Sequence, residues 1–238
     1  MSDNKLINSL SAYLETLELS GVSELMLKSV SHELNKIEQI APEVKSGFKI
    51  SNKESLVEIQ KAVSGCVKCG ELCGIRTQTV FGSGNAKAEL VFVGEAPGFE
   101  EDKQGLPFVG KAGQLLTKMI EGIKLSRNEV FICNVLKCRP PENRNPKPDE
   151  IENCIPYLWA QLDIIKPKLI CALGNFASQT LLKTTKTISQ LRGNIHESNG
   201  YRILCTFHPA YLLRNPDDKK KAWEDLKRLR SELDQSTQ

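Results

Sequence analysis

No apolar run in this 238-residue chain approaches the length of a membrane-spanning helix, and the opening Met-Ser-Asp-Asn-Lys lacks the apolar core of a secretion signal. These absences exclude a helical membrane anchor and predict a cytoplasmic protein. There is no internal repeat, which excludes an array of stacked units. Charge of one sign is not in large excess either: the net value is +3, too small to single out a partner. Its distribution says more. Residues 1–60 hold six Lys and nine acidic residues, a balance of −3, so the rest carries +6. That positive charge is concentrated in Lys137, Arg139, Arg144 and Lys147, and again in Arg214 and Lys219 to Lys221. Two basic patches on one compact domain suit a polyanion, although a solvated face explains such runs about as well.

What the chain does have is cysteine, eight in all. In a reducing compartment, metal ligation or plain burial explains them better than disulfides. Cys133, Cys171 and Cys205 sit inside apolar runs (Val-Phe-Ile-Cys-Asn, Leu-Ile-Cys-Ala-Leu, Ile-Leu-Cys-Thr-Phe), where cysteine acts as a small hydrophobe. Cys66-x2-Cys69 presents two thiolates to one soft cation, and Cys138 and Cys154 far downstream could close the site. Cys73 completes a local trio with Cys66 and Cys69, and spacing alone does not exclude it.

Residues 5–30 place Leu6, Leu10, Tyr13, Leu14 and Leu17 at helical spacing, with Gly21 as a stop. A polar stretch from Glu33 to Lys53, containing Pro42 and Gly47, reads as a linker. The expected organisation is an N-terminal extension over residues 1–58 and one globular domain over 59–238. Within the latter, buried-strand patterns at Glu89–Gly94, Val130–Val135, Lys168–Gly174 and Tyr201–Phe207 alternate with helical patterns. The helices fall at Gly110–Lys124, at Pro148 to about Ile165 with Pro156 bending it, at Asn175–Leu182 and at Asp217–Leu233. Such alternation predicts an α/β three-layer sandwich around a central four-stranded parallel sheet. Functional residues of such sheets gather at the carboxyl ends of the strands. These ends are Gly94-Glu95-Ala96-Pro97-Gly98, Asn134, Gly174-Asn175 and His208-Pro-Ala-Tyr.

Each of these ends has an ordinary reading and a chemical one. Gly and Pro after the first strand can make a simple turn, or a rigid loop whose backbone approaches a ligand. An Asn at a strand end is commonly a turn-maker, yet its amide can pair with both O4 and N3–H of uracil. His208, one of three histidines, could merely pack before proline, or donate to a developing oxyanion.

Together the segments resemble the family 4, iron-sulfur, uracil-DNA glycosylases. The resemblance rests on Arg76-Thr-Gln-Thr-Val-Phe-Gly, Gly94-Glu-Ala-Pro-Gly, Gly105-Leu-Pro-Phe-Val-Gly-Lys-Ala-Gly-Gln-Leu-Leu, Asn134-Val-Leu-Lys-Cys-Arg-Pro-Pro-Glu-Asn-Arg and His208-Pro-Ala-Tyr-Leu-Leu-Arg. It runs in register over about residues 60–233. It implies a 4Fe-4S cluster on Cys66, Cys69, Cys138 and Cys154, with Cys73 outside, serving to shape the Arg139–Lys147 loop. Zinc remains the alternative for four cysteines on their own chemistry. The resemblance further implies a monomeric enzyme acting on uracil-containing DNA, with no membrane partner. Phe108 would stack on the flipped base, Asn134 read its edge, Glu95, Ala96 and Pro97 line it, and Glu101 close the pocket near C5. His208 would donate to O2, and because Ala96 stands where family 1 enzymes carry an Asp, water activation would fall to Glu95, to another nearby carboxylate or to no strong base at all. Lys111, Arg139, Arg144 and Arg214 would contact DNA, and Leu212 would fill the vacated stack. The competing expectations are a non-catalytic nucleic-acid-binding domain with a structural metal, and a glycosylase for another deaminated base.

Overall fold

The computed structural model describes residues 55–235. The expected helix within residues 5–30 and the linker up to Lys53 lie outside the described residues. Helix α1 (Leu56–Ser64) opens on a reciprocal cap. The Glu58 amide donates to Ser55 Oγ at 3.4 Å, and the Ser55 amide donates to a Glu58 carboxylate oxygen at 2.6 Å. Ile59 and Val63 of this helix are buried in the main core, so the expected boundary at residue 58 falls inside a packed helix and the compact unit begins upstream of it.

Among the described residues the sheet has six strands, the four central parallel ones and two more at its edges. Strands β1 (Ser83–Gly84), β2 (Leu90–Gly94), β3 (Phe131–Asn134), β4 (Leu169–Leu173), β5 (Ile195–Ser198) and β6 (Tyr201–Thr206) run in the order β1-β3-β2-β4-β6-β5. The central β3, β2, β4 and β6 are parallel, and short β1 and β5 are added antiparallel at the edges. The central strands are mainly apolar because both faces are covered, with polar residues only at their ends: Asn134 in β3, and Arg202 and Thr206 in β6. Val91, Val93, Phe131, Cys133, Ile170, Ala172, Ile203 and Cys205 point into one core, while Leu90, Phe92, Ile132, Leu169, Cys171, Leu173 and Leu204 point into the other. Cys133, Cys171 and Cys205 are thus core residues, as their apolar runs imply.

Further helices supply the covering layers: α2 (Gly70–Ile75), α3 (Phe99–Gln104), α4 (Lys111–Gly122), α5 (Pro148–Ile165), α6 (Gly174–Leu182), α7 (Ile188–Leu191), α8 (Pro209–Arg214) and α9 (Lys219–Gln235). On one face α1, α5 and α6 contribute Ile59, Leu158, Leu162 and Leu181. On the other, α4 and α9 contribute Leu116, Ile120, Leu226 and Leu229. Each such side chain taken from water is worth about 1.5–3 kcal/mol. Pro156 lies inside α5, which continues through it to Ile165. Among the described residues no helix is long and apolar enough to cross a membrane. Both layers leave the carboxyl edge of the parallel strands open, and there the chemistry-bearing residues meet.

Candidate active site and metal centre

A cavity of about 420 Å³ opens at that edge, lined by Glu95 to Gly98 after β2, Glu101 of α3, Phe108, Asn134 at the end of β3, His208 and Arg214. All seven expected base-pocket residues (Glu95, Ala96, Pro97, Glu101, Phe108, Asn134 and His208) line this one space.

Its shape depends on absent side chains. A Cβ at Gly94 would collide with Asn134 Oδ1 and approach Phe108 Cζ to 2.6 Å, and one at Gly113 would run into the Phe108 carbonyl. Phe108 itself holds φ at 54°, a left-handed conformation rare for an aromatic residue, which surrounding bonds must impose. Arg127 supplies two of these, donating from Nη2 to the Pro107 carbonyl at 2.8 Å and from Nη1 to the Phe108 carbonyl at 3.2 Å. Glu101 supplies the rest of the clamp. One carboxylate oxygen accepts from the Val109 and Gly110 amides at 2.9 and 3.0 Å, and the other accepts from the Gly98 amide at 3.1 Å. The carboxylate therefore ties the loop after β2 to the loop carrying Phe108.

Asn134 is 2% exposed, and among the described residues its Oδ1 has no hydrogen-bond partner. A buried acceptor left so costs about 1–3 kcal/mol, a deficit that a donor on a bound ligand removes. Opposite it, burial depresses the His208 pKa to about 4, helped by the positive charge of Arg214 and opposed by Glu101, so the imidazole is neutral at pH 7. The Ala210 amide donates to Nδ1 at 3.1 Å, which leaves the single ring proton on Nε2. Burial raises the Glu95 carboxyl to about 7. The pocket thus combines a bare acceptor, a neutral imidazole donor and a carboxyl poised near neutrality.

A second, smaller cavity lies behind β3, with Cys66, Cys69, Cys138 and Cys154 all on its wall and Cys73 not among the lining residues. The four cysteines therefore border one common space. Three N–H groups face sulfur: Arg76 Nη1 at 3.1 Å from Cys138, the Lys137 amide at 3.2 Å from Cys154, and Asn153 Nδ2 at 3.7 Å from Cys69. Burial raises the thiols of Cys69, Cys138 and Cys154, and neighbouring cysteines raise each further, so holding all as thiolates requires positive charge among them.

The profile of the Uracil DNA glycosylase superfamily matches residues 81–227. The chain belongs to that superfamily. It is 44% identical over 184 residues to the Type-4 uracil-DNA glycosylase of Archaeoglobus fulgidus, covering 74% of this chain and 92% of that protein. The Type-4 enzymes of Sulfurisphaera tokodaii and Thermotoga maritima are 46% and 45% identical, covering 74% and 75% of this chain and 84% and 95% of those proteins.

For a member of this superfamily the outward-facing expectations fare unevenly. Arg214 lines the pocket mouth, and Lys111 lies exposed at the start of α4. Arg139 lies over the exposed Phe99 ring at 5.1 Å, and its Nε donates to Asn143 Oδ1 at 2.8 Å. Arg144 borders the pocket but is already ion-paired, with Glu150 at 2.5 Å and Glu71 at 3.0 Å, and Lys147 shares Glu71 at 2.6 Å. Two expectations do not hold. Leu212 is 1% exposed in the core beneath α8, so it has no free surface to place between bases, whereas Leu213 beside it is 42% exposed. Lys137 is 1% exposed and belongs to no surface patch. Sequence reasoning missed Arg127 altogether, because Ser-Arg-Asn-Glu between a helix and a strand reads as a solvated turn.

Proposed function

We propose that this chain is a monofunctional uracil-DNA glycosylase: it takes a uracil flipped from DNA and hydrolyses its N-glycosidic bond, starting base excision repair. The buried, unpartnered Asn134 Oδ1 carries the reading. It faces a ligand edge that must bring a donor, and uracil N3–H is one; cytosine offers a bare acceptor at that position and would leave two lone pairs opposed. Phe108 gives the ring a stacking face. Glu101, by holding the loops on either side of the pocket together, fixes a wall that excludes the 5-methyl of thymine. Such exclusion is needed because an apolar pocket alone separates one methyl by only about 1–3 kcal/mol.

In the reaction the C1′–N1 bond breaks, its electron pair moves into the uracil ring, and water oxygen bonds to C1′. Negative charge grows on O2, where the His208 Nε2–H donates. A neutral donor already in place lowers the barrier by about 3 kcal/mol without reorganisation. Glu95, near half-ionised at neutral pH, is the carboxylate available to take a proton from the water. Because a dissociative transition state places most of its demand on the leaving group, His208 contributes more than Glu95.

Cys66, Cys69, Cys138 and Cys154 fit a 4Fe-4S cluster: four sulfurs around one cavity suit a group that offers a separate iron to each thiolate. When bound, the cluster supplies a structural cross-link between the segment before β1, the loop after β3 and helix α5.

A single-turnover assay on an oligonucleotide bearing one uracil, followed by alkaline cleavage, tests the proposal. Scission at uracil, absent at thymine and lost in His208→Ala and Asn134→Ala, is the expected result. No scission by iron-loaded protein would overturn it in favour of a binding role or another base.

A further inference from the structure

Lys137 is one of the largest fully buried side chains in the molecule, although it sits in a stretch whose neighbours suggest a basic surface loop. Its Nζ donates to the main-chain carbonyl of Asn134 at 2.8 Å and to Gln161 Oε1 at 2.6 Å. Gln161, itself wholly buried, donates from Nε2 to the Phe81 carbonyl at 2.9 Å. The Lys137 amide donates to Cys154 Sγ, and its carbonyl accepts from the Val80 amide at 2.8 Å. Among the described residues no carboxylate is bonded to the ammonium.

An ammonium taken out of water with only neutral acceptors is costly unless a negative charge lies close by. The group that the four cysteines would hold supplies that charge, since a cluster ligated by four thiolates is a net anion. Lys137 follows β3, and Cys138 and Cys154 lie next to it in chain and in space. On its other side Nζ grips the residue whose side chain enters the base pocket. A residue that served only to fill the core would do so with an apolar chain, at lower desolvation cost.

We propose that Lys137 is a positioning residue: by bonding the Asn134 carbonyl and Gln161 through Nζ, and Cys154 through its amide, it ties the end of β3 to the cysteine-bearing wall and holds the uracil-reading amide in register. This rests on the reading of Asn134 as the group that pairs with the base. The bond from Nζ to the Asn134 carbonyl fixes the strand end that carries the amide, and a negative group on the nearby cysteines would favour the charged form of the lysine. Gln161 sets the angle of the ammonium from the far side.

The experiment is a double-mutant cycle on the cluster-loaded full chain, with Lys137→Met, Asn134→Ala and the pair, read as single-turnover rate and as affinity for free uracil by calorimetry. Iron and sulfide content and visible absorbance are measured on every variant. Lys137→Met should keep its iron, bind uracil-containing DNA within about twofold of the parent, and lose about tenfold in both rate and uracil affinity. In the Asn134→Ala background the same substitution should change either quantity by less than about twofold. Equal, additive losses in the two backgrounds, or no loss in Lys137→Met alone, would overturn the inference. Parent-like rate and uracil affinity in Asn134→Ala would instead overturn the reading beneath it. If Lys137→Met does not retain iron, Gln161→Leu, which leaves all cysteine contacts in place, serves in the same cycle: non-additivity with Asn134→Ala supports the inference and additivity overturns it.

Discussion

The rings of Phe108 and His208 lie 5.6 Å apart between centroids and are tilted by 35°, so the stacking face and the hydrogen-bond donor of the pocket share one corner. Neither is free to move alone. A Cβ at Gly174, which holds φ at +85°, would come within 2.9 Å of His208 Cβ, while Gly113 lets α4 touch the Phe108 backbone. His208→Ala is therefore expected to lower the single-turnover rate by about 10²–10³, the usual effect of losing one preorganised oxyanion donor, with little change in DNA affinity. Glu95→Ala measured under matched conditions should lose less.

The pH dependence has a definite sign. The Glu95 carboxyl is raised to about 7 in the folded chain, so the rate should climb with pH through that value, and the climb should vanish in Glu95→Gln. The same shift costs stability. Because the folded state keeps this proton longer than the unfolded one, stability falls as pH rises from the ordinary carboxyl range to about 7. His208 works oppositely: its folded value of about 4 lies below the ordinary imidazole range, so stability is complete above about 6.5 and falls as pH drops towards 4. Thermal melts of Glu95→Gln should show a gain over the parent at pH 8 that disappears at pH 4.

Space in the pocket corner is as limiting as charge. Gly113→Ala would place a methyl group on the Phe108 carbonyl, a backbone atom that Arg127 holds and that cannot swing aside. A melt should show about 1–3 kcal/mol of destabilisation, and the rate at uracil should fall with it. Gly94→Ala pushes on Asn134 Oδ1 and the Phe108 ring tip instead, so its loss should appear mainly in uracil affinity.

The four parallel strands were legible because each is an apolar run between turn residues, and burial on both faces leaves that mark in any sequence. The edges β1 and β5 were not: one is two residues long, and the other, Ile195–Ser198, has no buried position. The pocket residues were legible from strand ends and from the family resemblance. The residues that hold them were not, since Arg127 and Lys137 carry charges that a sequence assigns to solvent. Only the distant partners, the Pro107 and Phe108 carbonyls for one and Gln161 for the other, draw them inward. Leu212 and Leu213 are identical in sequence terms, and the rotation of α8 alone decides which is buried.

The cysteines divide by location. Cys138→Ala removes a sulfur that borders the common cavity and accepts from Arg76, so cluster absorbance should be lost and the melting temperature should fall. Cys73→Ala lies outside that lining and should leave both iron content and melting temperature at the parent values. Iron and sulfide analysis of the two variants side by side checks this.

The arginines at the pocket mouth should part company under salt. Arg214 is exposed and borders the cavity, so Arg214→Ala should weaken DNA binding uniformly across sequences and reduce the slope of log affinity against log salt by about one. Arg144 is spent on two carboxylates already, one of which, Glu150, is 3% exposed and also caps α5 by accepting from the Lys147 amide at 2.8 Å. Its guanidinium, bonded to the carboxylate, lowers the Glu150 pKa. Removing it leaves that carboxylate buried with its main partner gone, so Arg144→Ala should lower the melting temperature more than the salt slope. The gap between the variants in melting temperature should close as pH falls below the ordinary glutamate range and through the lowered value of Glu150, because a protonated Glu150 no longer needs the arginine. Equal salt slopes for the two variants, with equal melting temperatures, would show that Arg144 leaves its carboxylates to meet DNA.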